Sequence, residues 1–111
     1  MTDLLSKACK PCAPGTPALT REQVTALLTQ APGWSINAAA TELDRTFKFR
    51  NYYETMAFVN AVAFIVHRED HHPDMEAGYN RCHIRFSTHS IKGLSENDFI
   101  CAAKINALAT T

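Results

Sequence analysis

The histidines are the residues of this 111-residue chain best suited to chemistry near neutral pH. Imidazole gains and loses protons close to pH 7, which makes histidine the usual general acid or base of enzymes. All five lie between residues 67 and 89: His67, His71, His72, His83 and His89. This clustering predicts that any acid–base site lies in the second half of the chain.

The sharpest local feature is His71-His72-Pro73, which follows the end of a predicted helix. The helix dipole favours a cationic imidazole at that end, and Pro73 holds the preceding residue in an extended conformation. Adjacent side chains of an extended chain point in opposite directions, so both histidines share a cleft only if the chain turns sharply. A solvated loop between helix and strand is the alternative interpretation.

Ser87-Thr88-His89 ends a predicted strand, where a side chain can be presented over a sheet edge. An ordinary polar strand exit would have the same sequence. His83 lies on the polar face of the same strand and is predicted to be a surface or interface residue. His67 is predicted to be a structural residue of the last turn of the helix.

A metal site is a further alternative, because His67 and His71 have the i, i+4 spacing of zinc-binding helices. The residues between them are Arg-Glu-Asp, so Glu69 does not occupy the position of the metalloprotease general base. A third ligand could come from Asp70, His72 or His89. This interpretation predicts a hydrolase that chelators inhibit.

Cys9 and Cys12 form a CxxC pair in a proline-rich segment. A structural zinc site usually has four ligands, and a thioredoxin-type motif lies between a strand and a helix. Neither context is present, and Cys82 and Cys101 are isolated in the sequence. We therefore expect a flexible dithiol without a role in the core, while redox chemistry or adventitious metal binding stays open.

The order of predicted elements is helix, strand, strand, helix, strand, strand, helix. Thr20 and Gln23 have the spacing of a capping box and start the first helix, and Ser95 with Asp98 has a weaker form before the last one. Alternating apolar residues predict strands. The elements cover residues 20–31, 34–37, 42–50, 51–70, 75–79, 81–88 and 95 onwards. This order predicts an α+β domain over residues 19–111, with a four-stranded antiparallel sheet and about three helices on one face. Residues 1–18 are expected to form a flexible tail.

The long helix over residues 51–70 has apolar residues at helical spacing, which predict its buried stripe. The stripe comprises Met56, Ala57, Asn60, Ala63, Phe64 and His67, and is widened by Val59, Val62 and Val66.

Composition narrows the class of protein further. Eleven basic residues balance eleven acidic ones, so the basic excess of a nucleic-acid binder is missing. We expect no membrane span, because no apolar run reaches about 18 residues. The first 15 residues lack the apolar core of a signal peptide, so a cytoplasmic protein with reduced thiols is expected. Near-neutral charge gives little electrostatic repulsion between copies of the chain, which permits self-association. The four glycines form no phosphate-binding loop, so nucleotide binding by such a loop is not expected.

Several motifs in this order and spacing resemble the pterin-4a-carbinolamine dehydratase family. They are Glu69-Asp70-His71-His72-Pro73, Tyr79, Ser87-Thr88-His89, Gly93-Leu94-Ser95 and Asp98, with Trp34 and Ala57-Phe58-Val59 before them. The resemblance runs from about Leu19 to the C-terminus. The stretch 97–103 and the CxxC pair are similar to the bacterial branch. Met75 and Ser90 depart from the family pattern, in which an aromatic and an acidic residue are common.

This resemblance implies a hydro-lyase. The family converts 4a-hydroxytetrahydropterin, released by aromatic amino-acid hydroxylases, into quinonoid dihydropterin and water, which recycles the pterin of phenylalanine hydroxylation. It uses histidine acid–base catalysis with no metal or other cofactor, and it assembles as homodimers or homotetramers. The catalytic histidines matched are His71, His72 and His89, with His72 as the main base and the other two as acids.

The resemblance also predicts which residues contact the substrate: Asp70, Ser87, Thr88, Ser90 and Asp98. Asp98 could orient His89 or serve only as a helix cap. The main rival to the enzyme is a non-catalytic regulatory protein, because animal members also bind a transcription factor as a dimerisation partner.

Overall fold

A capping box starts the first helix, as the sequence predicts. In the computed structural model, which describes residues 3–13 and 15–109, the Gln23 backbone N–H donates to Thr20 Oγ1 at 3.2 Å. In return, the Thr20 backbone N–H donates to Gln23 Oε1 at 2.8 Å. Each side chain satisfies a backbone donor that a helix N-terminus leaves unpaired. Helix α1 therefore begins at Arg21 and ends at Leu28.

The remaining elements follow in the predicted order. They are β1 (Ser35–Ile36), β2 (Leu43–Lys48), α2 (Tyr52–Glu69), β3 (Asp74–Ala77), β4 (Arg81–Phe86) and α3 (Glu96–Ala109). The four strands form one antiparallel sheet in the order β1-β2-β4-β3. Its helices pack on one face, so the predicted α+β fold is confirmed.

The two central strands have one apolar face and one polar face. Leu43 on β2 pairs with Phe86 on β4, and both side chains are fully buried. On the opposite face His83 Nε2 lies 2.8 Å from Asp44 Oδ2. This alternation follows from the two-residue period of a strand, and it directs the apolar side chains toward the helices.

Helix α2 packs on the sheet with a different face from the one the sequence predicted. Its buried residues are Thr55, Phe58, Val62 and Val66, whereas Ala57, Asn60, Ala63, Phe64 and His67 are exposed. The Phe58 ring lies 4.7 Å from that of Phe47 and 5.0 Å from that of Phe49. The predicted stripe is therefore wrong, except for half-buried Met56 and the flanking valines, because α2 has apolar residues on several sides.

The N-terminal segment packs against the domain, although we expected a flexible tail. Leu4 lies in a short 3-10 helix and is only 1% exposed. The Cys9 backbone N–H donates to Glu69 Oε1 at 2.8 Å. Asn97 on α3 accepts from the Lys10 N–H at 3.0 Å and donates to its carbonyl at 2.6 Å. Beyond the short 3-10 helix the segment has no regular structure as far as Lys10, but it packs all the same. Residues 1, 2 and 14 of the predicted tail, and residues 110 and 111, lie outside the described residues.

Long apolar helices are missing from residues 3–13 and 15–109. None of the helices there has both the length and the hydropathy to cross a membrane.

Candidate active site

A buried carboxylate lies between the helix α3 N-terminus and the end of β4. Asp98 is 0% exposed. Its Oδ2 accepts from the Ser95 backbone N–H at 2.9 Å and from the Thr88 hydroxyl at 2.8 Å. The Ser95 hydroxyl lies 2.7 Å from the Thr88 hydroxyl. Of the predicted capping box, the half that is present is the hydrogen bond from the Ser95 backbone N–H to the Asp98 side chain. These contacts fix the carboxylate and leave its other oxygen for a further partner.

That partner is His71, whose Nε2 lies 2.5 Å from Asp98 Oδ1. An ionised carboxylate only accepts hydrogen bonds, so Nε2 carries the hydrogen. Nδ1 is then the ring nitrogen that remains for a partner other than Asp98. A buried acid that fixes a histidine tautomer in this way is a common arrangement in acid–base catalysis.

The end of α2 directs His71 toward Asp98. Asp70 adopts a left-handed backbone conformation with φ 54°, which ends the helix. The His71 N–H then donates to the Val66 carbonyl at 3.2 Å. The His71 ring lies parallel to the Phe86 ring, with 5.9 Å between centroids and 8° between planes, and its side chain is 13% exposed. The chain reversal and the Phe86 ring together fix the imidazole.

His71 forms part of the wall of a recess of about 180 Å³, which is smaller than most small-molecule sites. The end of α2, the β4–α3 connection, α3 and the N-terminal segment all line it. Its lining residues are Cys9, Lys10, Pro11, Cys12, Glu69, Asp70, His71, Thr88, Ser90 and Asn97. The structure therefore brings four of the predicted site residues together: Asp70, His71, Thr88 and Ser90.

The other two predicted catalytic histidines line neighbouring recesses. His72 is exposed and lines a second recess, which shares Asp70 and His71 with the first. His89 and Ser87 line a third one, which shares Thr88 with the first. A single protomer thus has three adjoining recesses near the Asp98–His71 pair: His71 lines the first, His71 and His72 both line the second, and His89 lines the third.

Asp98 contacts His71 and not His89, so the predicted alternative of Asp98 orienting His89 is not the observed arrangement. Asp98 is buried and is not among the residues that line the recess. Sequence reasoning missed Phe86 as a neighbour of His71, because it was assigned only to the core. It also missed Asn97, for which the sequence has no signal.

Glu69 lines the recess, and its surroundings lower its pKa. Burial by itself raises the pKa of Glu69. The hydrogen bond from the Cys9 N–H and the positive charge of Lys104, 3.4 Å away, outweigh burial and hold this pKa below its usual value. Glu69 is therefore a stable anion near neutral pH that fastens the N-terminal segment.

The metal alternative requires at least three ligand side chains to lie close together. Across residues 3–13 and 15–109, no three His, Cys, Asp or Glu side chains are grouped as a metal ion would require.

The family model for pterin 4 alpha carbinolamine dehydratase matches residues 17–108. The chain belongs to this family. A relative in Nitrosospira multiformis, provisionally named pterin-4-alpha-carbinolamine dehydratase, is 57% identical and is aligned over 96% of this chain and 92% of its own. One in Nitrosomonas eutropha, with the same provisional name, is 56% identical over 96% and 93%.

Solved structures of the family have the same fold. A transcriptional coactivator/pterin dehydratase from Brucella melitensis superimposes with a TM-score of 0.78 at 32% identity, covering 83% of this chain and 98% of its own. A pterin dehydratase-like protein described as a RuBisCO assembly factor in the alpha-carboxysome has a TM-score of 0.62 at 24% identity, over 74% and 95%. Because its identity is only 24%, the second structure supports the fold of this chain and nothing about its function.

Proposed function

We propose that this protein is a hydro-lyase that dehydrates a 4a-hydroxytetrahydropterin to quinonoid dihydropterin and water. The observation that carries the proposal is the pairing of buried Asp98 with His71 at the wall of the recess, in a chain of the dehydratase family. The pair provides a proton-transfer group at the wall of a small recess that adjoins two others, of about 320 and 270 Å³.

The reaction needs one proton delivered and one removed. The bond between the hydroxyl oxygen and carbon 4a breaks, the oxygen leaves as water with an added proton, and the neighbouring ring nitrogen loses its proton as the C=N bond forms. Histidine side chains can serve both steps, because neutral imidazole is a base and imidazolium is an acid. No metal or redox cofactor is needed for this balance.

We assign the roles from the positions of the histidines. His71 delivers a proton through Nδ1 to the leaving hydroxyl, while Asp98 holds the ring. His72, exposed beside His71, is the main base, and His89 is a second acid beyond Thr88. Substrate contacts are assigned to Asp70, Ser87, Thr88 and Ser90, which line the recesses between the histidines.

The proposed reaction belongs to pterin recycling for an aromatic amino-acid hydroxylase, with a reductase acting on the product. We propose that it takes place in the cytoplasm.

Self-association as a homodimer or homotetramer is part of the proposal. The exposed face of α2 carries large apolar side chains: Tyr53 is 84% exposed, Phe64 is 63% and Tyr52 is 49%. A neighbouring copy that covered this face would bury apolar area, which favours association. Light scattering of wild type and Phe64→Glu tests this step: the variant should shift toward the monomer, and an unchanged mass would exclude this face.

The enzyme is tested by stopped-flow dehydration of 4a-hydroxytetrahydropterin with wild type, His71→Ala and His72→Ala, each with and without chelator. Wild type should accelerate the reaction with or without chelator, and each variant should lose roughly 10²-fold or more. The matched control is His83→Ala, because His83 also pairs with an aspartate but lies on the outer face of the sheet. A folded wild type that gives no acceleration would overturn the proposal.

A regulatory role is the second candidate, and the Brucella melitensis relative favours it, since that protein's description combines a transcriptional coactivator with a pterin dehydratase. His72→Ala separates the two functions: a regulatory interaction should survive this change, whereas dehydration should not.

A further inference from the structure

Two thiols that are distant in the sequence meet where the N-terminal segment crosses α3. Cys9 Sγ lies 3.7 Å from Cys101 Sγ, across 92 residues of sequence separation. Both cysteines are free; Cys9 is half-buried, whereas Cys101 is completely buried. One member of the pair can therefore meet a reagent from solvent, and the other is close enough to react next.

The thiol pair lies beside the candidate active site. The Cys101 thiol donates to the His71 carbonyl at 3.7 Å. The Cys9 backbone is fastened to Glu69, and Cys9 and Cys12 both line the recess that contains His71. A covalent change at these sulfurs would therefore act on one wall of the recess and on the backbone of His71.

We propose that Cys9 and Cys101 are a redox modification site, at which a small-molecule disulfide such as oxidised glutathione generates an intramolecular disulfide. The bond fastens the N-terminal segment to α3 beside the candidate active site. The modification itself does not depend on the proposed dehydratase function; only its expected effect on activity does.

The exchange takes place in two steps. The Cys9 thiolate attacks a sulfur of the disulfide reagent, and one thiol leaves. The Cys101 sulfur then attacks the Cys9 sulfur, and the second thiol leaves. The protein loses two electrons and two protons, and the reagent is reduced to two thiols. The hydrogen bond with Cys9 and burial raise the pKa of Cys101, so Cys9 reacts first and ring closure is the slow step.

The geometry requires a small adjustment. The sulfurs must approach from 3.7 Å to about 2.05 Å, so the two side chains together move roughly 1.7 Å. The bond would close a loop of about the whole domain, which restricts the unfolded chain and raises Tm by several degrees. It also removes the Cys101 S–H donor from the His71 carbonyl. Dehydration should therefore slow several-fold, and dithiothreitol should restore it.

The test is peptide mapping by mass spectrometry after native protein is incubated with oxidised glutathione. Wild type and Cys12→Ser should each give a peptide linked through Cys9 and Cys101, with an increased Tm that dithiothreitol reverses. Cys9→Ser should give neither. Cys12→Ser is the matched control, because Cys12 is half-buried in the same segment, and Cys82→Ser is the control for a buried thiol.

A Cys9–Cys12 bond in wild type, or glutathione that stays on Cys9 without a crosslink, would overturn the proposal. The Cys9→Ser variant removes the more exposed thiol, so it also avoids the risk of misfolding at the core position of Cys101. If the crosslink forms but wild type has no dehydratase activity, the modification site stands and the proposed function fails.

Discussion

Replacing Asp98 with asparagine tests the role of the buried carboxylate with almost no change of shape. The asparagine oxygen can still accept from Ser95 and Thr88 at the Oδ2 position. Its NH₂ group then faces His71 Nε2, where the carboxylate oxygen lies 2.5 Å away. An amide donor at this position requires Nε2 to accept, so the hydrogen of neutral His71 moves to Nδ1.

The expected magnitude follows from this change of tautomer. If Nδ1 is to exchange its proton, Nε2 must carry a hydrogen in one of the two states. That hydrogen would face the amide NH₂ group, so two donors would oppose each other. A single general acid or base contributes about 10²–10⁴-fold in rate, so we expect kcat to fall by at least about 10²-fold, or about 2.7 kcal/mol of barrier. KM should change little, because Asp98 is buried away from the recess. The variant should also lose about 1–2 kcal/mol of unfolding free energy. The reason is that the amide only partly replaces one charge-assisted hydrogen bond.

The assay is stopped-flow dehydration over a range of pH, together with ¹⁵N NMR of the His71 ring to identify the protonated nitrogen. Asp44→Asn is the matched control, since Asp44 pairs with His83 on the exposed face of the sheet and such pairs contribute about 0–1 kcal/mol. A folded Asp98→Asn protein with wild-type kcat and the hydrogen still on Nε2 would refute the reasoning.

Three further predictions concern stability. Leu4→Ala should cost about 2–5 kcal/mol of unfolding free energy. Leu5 is 45% exposed, so Leu5→Ala should cost under about 0.5 kcal/mol. Urea titration measures both, and equal effects would contradict the packing of the N-terminal segment. Glu69→Gln should destabilise the protein at neutral pH but not in acid. The pKa of Glu69 is lowered by folding from 4.5, so its contribution is present above that pH and is lost as pH falls through the folded value; a pH-independent difference would refute this. Gly33→Ala should lower stability by about 1–2 kcal/mol, because Gly33 has φ 87° and a Cβ there would lie 2.7 Å from Arg45 Cζ; an unchanged Tm would count against it.

Local signals in the sequence predicted the fold well. The Thr20–Gln23 capping box and the alternation in β4 depend on neighbours within a few residues, and both elements are present. The buried face of α2 was mispredicted because side chains such as Phe64 supply apolar residues outside the core face. Thr55 is buried despite its hydroxyl, which donates to the carbonyls of Asn51 and Tyr79. Only tertiary structure selects between such faces.

For the candidate site too, the sequence predicted the local features but not the contacts between distant residues. The His71-His72-Pro73 motif identified the region, but the partner of His71 lies 27 residues away on another helix. The packing of Leu4 and Cys9 depends on contacts with residues 26 and 92 positions away, Gln30 and Cys101. Spacing has no information on such pairs, because the fold alone brings them together.

The backbone at the rim of the recesses has a consequence for protein engineering. Asp70, with φ 54°, and Lys92, with φ 53°, both adopt the left-handed conformation, which glycine tolerates best. A side chain in that conformation costs about 1 kcal/mol relative to glycine. Lys92→Gly is therefore a candidate thermostabilising change. Asp70→Gly would gain less, because aspartate tolerates this conformation better than lysine does, and it would remove a carboxylate from the recess. The loops around the site thus retain backbone strain at both positions. A more heat-resistant variant could remove the strain at Lys92 and keep the carboxylate of Asp70.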